Sequence, residues 1–441
     1  MNLFQSFVLA VFGLIALAAV VIFSATSNSG TEIGFAGNFK LWGTLPTGSL
    51  LVPLEEFNTA NSKSFKVVYT QIRKETFENE LISALASGKG PDLVILPETL
   101  IVENMDKVLP ISYDYYSARN FSDNFADGAS LFMAKDGIVA LPLYIDPLLM
   151  YWNKDIFSTG GVASYPTKWS EFENLASRLT QSGRGGNISQ ATVAMGSYSN
   201  VEHVKDIISA LFIQSGNGVV RFSKEGEISN SGGDSQYTVL LGDSSGEDPV
   251  GPESALKFFL DFSNPAKRAY SWNVALPNSQ TAFYGGTLGV YFGHASDYAE
   301  IVKSNPHLNF DVAVLPQRDG AKIRTTFGNI YGIAVTRGST KPDIAKQIAI
   351  SLSGATFSRS LSNAIAMPPA RRDLLSIGSK DPTASVFYSS AIMSKSWLDP
   401  LPLESDEVFQ EMIESVLSGI ITERDAINVA GKKLSNLANK K

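Results

Sequence analysis

The chain has 441 residues, 44% of them apolar and 18% charged, with a formal net charge of −7 and no cysteine. This composition excludes wholesale disorder, a basic nucleic-acid-binding face, disulfides, thiolate metal sites and cysteine nucleophiles. The length is enough for two lobes. Three histidines, His203, His294 and His307, lie far apart and in no H-E-x-x-H spacing, so a histidine-based metal site or triad is poorly supplied, although the three could still converge in space; no metal or cofactor is expected.

Residues 1–31 carry no charged side chain, and Phe7 to Phe23 is an unbroken run of apolar residues and glycine. With Leu3 and Phe4 the run approaches the roughly 20 residues a helix needs to cross a bilayer. It is longer than the usual core of a signal peptide and no basic segment precedes it, so residues 1–25 read as a retained N-terminal transmembrane helix. A cleaved signal sequence leaving through Ala25-Thr26-Ser27 is the alternative. Residues 26–34 then form a spacer.

From Gly37 strands and helices alternate. Phe39 to Trp42 reads as a strand, Leu50 to Ala60 as a helix with Leu54 and Phe57 on one face, and Phe65 to Tyr69 as a second strand. Phe77, Leu81 and Leu85 recur at helical spacing up to Gly88. The continuous apolar run Asp92 to Leu96 suits a strand covered on both faces. Further helices are expected over 163–179, 203–213 and 255–262, and strands over 310–315 and 330–335. Residues 221–252, rich in Ser, Gly, Asp and Glu, read as a surface insertion. From Ile344 onward the chain is mostly helical. Thr422 with Asp425 caps a last helix striped by Ile427, Ala430, Leu434 and Leu437. This alternation implies an α/β fold with mostly parallel sheets. No phosphate-binding loop, dinucleotide fingerprint or G-x-S-x-G elbow occurs.

Residues 136–173 carry a resemblance. Asp136-Gly137-Ile138-Val139-Ala140-Leu141-Pro142-Leu143-Tyr144, then Tyr151-Trp152-Asn153-Lys154-Asp155-Ile156-Phe157, then Pro166-Thr167-Lys168-Trp169-Ser170-Glu171-Phe172 follow in order. They resemble family 1 extracellular solute-binding proteins of ABC importers, the family of maltose-binding protein. Ala84 to Asp92, Asn264-Pro265, Phe283 with Gly286, and Leu315-Pro316 extend the likeness over about residues 35–441. The resemblance implies a periplasmic-binding-protein-like fold: two α/β lobes joined by several hinge crossings. Lobe 1 is expected at 35–143 and 294–355, lobe 2 at 144–293 and 356–441. It further implies a monomer that is not an enzyme, captures a mono- or oligosaccharide and hands it to ABC permease subunits outside the membrane. A glycan hydrolase or lyase, and a tethered sensor or adhesin, are the rival readings. Two departures stand out. No cysteine is available for lipidation, which favours the helical anchor. Gly293-His294-Ala295 also stands where such proteins often have a sugar-stacking Gly-Pro-Trp.

A sugar ring needs an aromatic plate for its C–H face and planar polar groups for its hydroxyls. In a parallel sheet the ligand lies beyond the carboxyl ends of the strands. Residues beside predicted strand ends are therefore candidates: Trp42, Gln71, Asp92, Tyr144, Asp146, Tyr151 and Tyr331. Trp272 with Asn273 offers a plate and a hydroxyl reader on one loop, and Arg371 could order the cleft mouth.

Overall fold

The computed structural model describes residues 35–183, 187–223, 236–242 and 251–440. The expected anchor at 1–25, its spacer and most of the 221–252 insertion lie outside the described residues. Among the described residues no helix is long and apolar enough to cross a membrane.

The first sheet is built on β1 (Asn38–Gly43), β2 (Lys66–Gln71) and β3 (Leu93–Pro97), with β1 parallel to both of the others. Between them run helices α1 (Thr47–Ala60) and α2 (Phe77–Ala86). Leu50, Leu54 and Phe57 of α1 are buried, as their spacing requires. Leu93 to Leu96 are buried throughout, which is why that strand lacks the polar alternation of one with a wet face.

Two long strands join this sheet to a second. β4 (Leu141–Asn153) lies antiparallel to β8 (Thr326–Thr336) through its first half, Leu141 to Pro147. Its second half, Leu148 to Asn153, is flanked instead by β6 (Leu288–His294) and β7 (Phe310–Val314). β5 (Ile188–Val193) continues the second sheet parallel to β6. β9 (Ser394–Lys395) adds a third crossing by pairing with Thr326 and Phe327. The strand order is therefore β2-β1-β3-β8-β4-β6-β5.

Two hydrophobic cores lie on either side of the crossing. One unites Phe39 to Ile145 with Ile330 to Leu375 and Ala391; the other unites Leu148 to Phe327 with Phe387 to Ala438. This corrects the expected lobe boundaries. Ile301, Val312, Ala313 and Leu315 belong to the second core because β7 pairs with the far half of β4. Phe357, Leu361 and Ala370 belong to the first because α4 (Ala355–Ile365) packs on α1. The terminal helix Glu423–Ala438 follows its reading: Thr422 accepts from the Asp425 backbone N–H, and Ile427, Ala430 and Leu434 are buried.

Close approach holds the crossing together. A Cβ on Gly328 would stand 2.5 Å from Ser394 Oγ and 3.2 Å from Pro147 Cα, so the three connections meet where only a glycine fits.

Candidate functional site

The register fixes where the two sheets aim their carboxyl ends. Pro97, the last residue of β3, lies opposite Tyr331, which is paired on its other side with Tyr144. His294, the last residue of β6, lies opposite Leu148, and the Ala295 N–H donates to the Pro147 carbonyl. Both carboxyl ends therefore converge on residues 144–148 and 328–331, between the two cores. In open α/β sheets this is where ligands bind.

Tyr144 and Tyr331 stack at this point, with ring centroids 4.4 Å apart and planes 9° from parallel. Tyr144 is buried and Tyr331 half-buried. A register shift between Tyr331 and Gly332 interrupts the pairing beside them, the kind of bulge that re-aims side chains near functional sites. Glu98 follows directly on β3. Its carboxylate accepts from the Ile330 N–H at 2.6 Å and from Ser396 Oγ at 2.7 Å, so one side chain ties β3 to two of the crossings. Burial pushes its carboxyl up to about 8, against the opposing effect of those hydrogen bonds.

The second lobe presents a polar network. Helix α3 (Val204–Gln214) starts from His203, whose backbone is left-handed at φ 54°. His203 Nε2 lies 2.8 Å from Asp297 Oδ2, and that oxygen also accepts from Tyr291 at 2.9 Å and from the His294 N–H at 3.1 Å. His294 Nε2 lies 2.8 Å from Asp206 Oδ2, and its Nδ1 lies 3.0 Å from the Asp146 carbonyl. Burial works against charge on His294, but Asp206, Asp146 and Asp297 outweigh it and raise the imidazole to about 10. One donor atom each from His203, Asp206 and His294 lies within 4.8 Å of the others, the grouping among the described residues that could hold a metal ion. Beyond β9, a cavity of about 350 Å³ opens between the lobes, lined by Asp127 and Ser130 from one side, Arg221 and Phe222 from the other, and Ser396 and Trp397 from the crossing.

The candidates drawn from the sequence divide. Trp42 stands half-buried at the carboxyl end of β1, and Tyr144, Asp146 and Tyr331 lie at the crossing. Asp146 is buried, and one of its oxygens accepts from the Ser296 N–H at 3.0 Å, so it ties the crossing to the second lobe. Burial raises its carboxyl above the ordinary value.

The others have structural employment. Gln71 accepts from the Thr47 N–H at 2.9 Å, filling an empty bond at the start of α1. Asp92 precedes β3 and so marks its amino end; it accepts from Lys40 N–H and Ser339 Oγ, far along the strand from Tyr331. Tyr151 is fully buried and donates to the His294 carbonyl at 2.6 Å. Trp272 has 0% exposure inside the second core and donates to Asn200 at 3.0 Å, so it is a packing residue and not a cleft plate. Asn273 shapes its own loop through the Ala275 N–H and the Tyr270 hydroxyl. Arg371 is committed to Asp373 and Asn124, with its guanidinium 5.9 Å over the Phe125 ring.

Residues the sequence reading passed over are Glu98, Asp206, Asp297 and Asn329. Glu98 was within reach of the strand-end rule, had it been applied to the end of the apolar run and not to its start.

Residues 44–350 match the family of bacterial extracellular solute-binding proteins. The chain belongs to this family. No curated protein matches its sequence. Among solved structures, this solute-binding protein is similar to a cyclo/maltodextrin-binding protein complexed with maltotetraose, with TM-score 0.71 and 18% identity over 90% of this chain and 96% of that one. It is also similar to the cyclic α-maltosyl-1,6-maltose binding protein from Arthrobacter globiformis, with TM-score 0.72 and 15% identity over 92% and 99%. An ABC substrate-binding protein from Listeria monocytogenes in complex with cycloalternan gives TM-score 0.65 and 14% identity over 91% and 98%. At these identities the likeness establishes the fold. The solute-binding protein thus has the α/β fold that its sequence implied, but with mixed sheets in place of the mostly parallel ones expected, because the long strands β4 and β8 run antiparallel to each other, β4 also to β6 and β7, and β8 also to β3.

Proposed function

We propose that this solute-binding protein captures a neutral mono- or oligosaccharide between its lobes, at the crossing of β4 and β8, and delivers it to an ABC permease. The observation that carries the reading is the Tyr144–Tyr331 stack at the converging carboxyl ends, with Trp42 at the carboxyl end of β1 in the same sheet, on the far side of β3. Aromatic faces suit the C–H face of a sugar ring, and the carboxylates and amide around them suit its hydroxyls. The similar structures whose complexes hold maltotetraose and cycloalternan support the choice of carbohydrate. Closure about the three crossings would desolvate the ligand and trap it. The reading assigns capture and not catalysis to the chain. It places the lobes outside the membrane as a monomer, held by a helix over residues 4–23; the support for that helix is the uncharged apolar run itself.

The test of the site is calorimetric titration of linear maltodextrins and mannooligosaccharides into the wild type and Tyr331→Ala. Binding that Tyr331→Ala weakens supports the assignment, and equal affinity for both proteins overturns it. For the anchor, N-terminal analysis of protein from the membrane fraction decides: retention of residues 4–23 is expected, and a mature chain starting near Asn28 contradicts it.

A further inference from the structure

We propose that His203, Asp206 and His294 form a divalent-metal site on the second-lobe wall of the crossing, suited to Zn²⁺. The three donors come from distant parts of the chain, the start of α3 and the end of β6, and converge to within 4.8 Å. Each imidazole is anchored through one of its nitrogens. The Asp146 carbonyl can only accept, so the 3.0 Å contact places a proton on His294 Nδ1 and leaves Nε2 turned toward Asp206 Oδ2 at 2.8 Å, from where an arriving ion would displace the Nε2 proton to solvent. An imidazole anchored through one nitrogen to a backbone oxygen is how metal-binding histidines are oriented.

His203 repeats the arrangement with a carboxylate as anchor. Its Nε2 is held by Asp297, and its Nδ1 makes no hydrogen bond among the described residues. Asp297 is itself fixed by Tyr291 and the His294 N–H, so the anchor cannot drift. A fourth donor stands on the crossing strand. The Asn329 amide lies 3.4 Å from His294 Nε2, and a half-turn of that amide presents its oxygen in place of its NH₂ group. Two imidazole nitrogens, one carboxylate and one amide oxygen match the coordination number of Zn²⁺. Ca²⁺ and Mg²⁺ want six or more oxygens, which this set does not supply. Because Asn329 belongs to β8 and the other three donors to the second lobe, an ion here would brace the crossing against that lobe. The inference stands whether or not the solute is a sugar.

The full chain, stripped with a chelator, is titrated with Zn²⁺ alone by calorimetry and with Co²⁺ by visible absorption. The expected result is one ion per chain and a ligand-field spectrum of a low-coordinate site containing nitrogen. His203→Gln and His294→Gln should each weaken binding at least a hundredfold. Asp297→Asn, which loosens an anchor and removes no ligand, should weaken it about 10- to 100-fold. His307→Gln, on an exposed turn, should bind as the wild type does. If His294→Gln does not fold, His203→Gln at the partly exposed helix start decides. No saturable binding by the wild type overturns the proposal, as does binding that survives His203→Gln.

Discussion

Trp272, as a plate, and Tyr331, at a strand, were both candidate binding residues from their sequence surroundings, and their fates differ for a reason visible only in three dimensions. Trp272 stands on a loop rich in turn residues, but Asn200, from a segment 72 residues earlier, accepts its indole N–H inside the second core. Nothing local to residues 265–277 tells which side of the loop faces a core. Trp272→Ala is therefore expected to cost about 3–5 kcal/mol of stability in urea denaturation. Tyr331→Ala, which gives up the stack on Tyr144, should cost clearly less stability than Trp272→Ala while weakening solute binding by about 2 kcal/mol, roughly thirtyfold in Kd. Titration and denaturation of both variants separate the roles; the reverse pattern would contradict the placement of either residue.

Glu98 supplies a pH test at the same scale. Its carboxyl is raised from an ordinary 4.5 to about 8 in the fold, so the folded state binds the extra proton between those values. Its contribution to stability is fully present below about 4.5 and is lost as the pH rises through 8. Urea midpoints of the wild type should fall across that window, and Glu98→Gln, which keeps the shape of the neutral acid, should flatten the fall. Parallel curves for the two proteins would rule out Glu98 as the group responsible.

Among the elements, those that declared themselves in sequence had a pattern set by local burial. The run at Leu93–Leu96 is apolar because both faces of β3 are covered, and the stripe in the last helix follows from one buried face. The lobe boundaries were less legible, since they depend on which half of a long strand a later segment joins. β7 reads alike whichever half of β4 it pairs with, and only register sends it to the second lobe. The helix expected from Ala163 begins only with the 3₁₀ turn at Trp169, because Pro166 precedes it. At the crossing, Gly328 has no sequence signature beyond being a glycine, although its packing against Ser394 and Pro147 leaves no room for a methyl group. Gly328→Ala should destabilise by roughly 1–3 kcal/mol through overpacking. Combining it with Ser394→Ala should restore part of the loss, since Ser394 Oγ is the nearest atom. Full additivity in a double-mutant cycle would argue against this contact as the cause.

For the whole molecule, the fold was readable from an ordered string of short motifs, while the site depended on where two sheets aim their strand ends. Two cores are joined by three narrow connections, and the proposed capture requires them to bend as hinges. Small-angle scattering from the chain beginning at residue 35 should show a smaller radius of gyration once a binding sugar saturates it. An unchanged radius at saturation would contradict closure. The most direct measurement of the central claim is thermal unfolding of the same protein across a panel of neutral mono- and oligosaccharides, maltotetraose and mannotriose among them. Stabilisation by a true ligand grows with concentration as RT ln(1 + [L]/Kd), about 2.7 kcal/mol at a hundredfold excess over Kd. The account predicts that at least one sugar raises the melting temperature progressively with concentration and that Tyr331→Ala cuts the stabilisation to roughly a third at the same concentration. A panel in which no sugar shifts the transition, or a shift that Tyr331→Ala keeps in full, would contradict it.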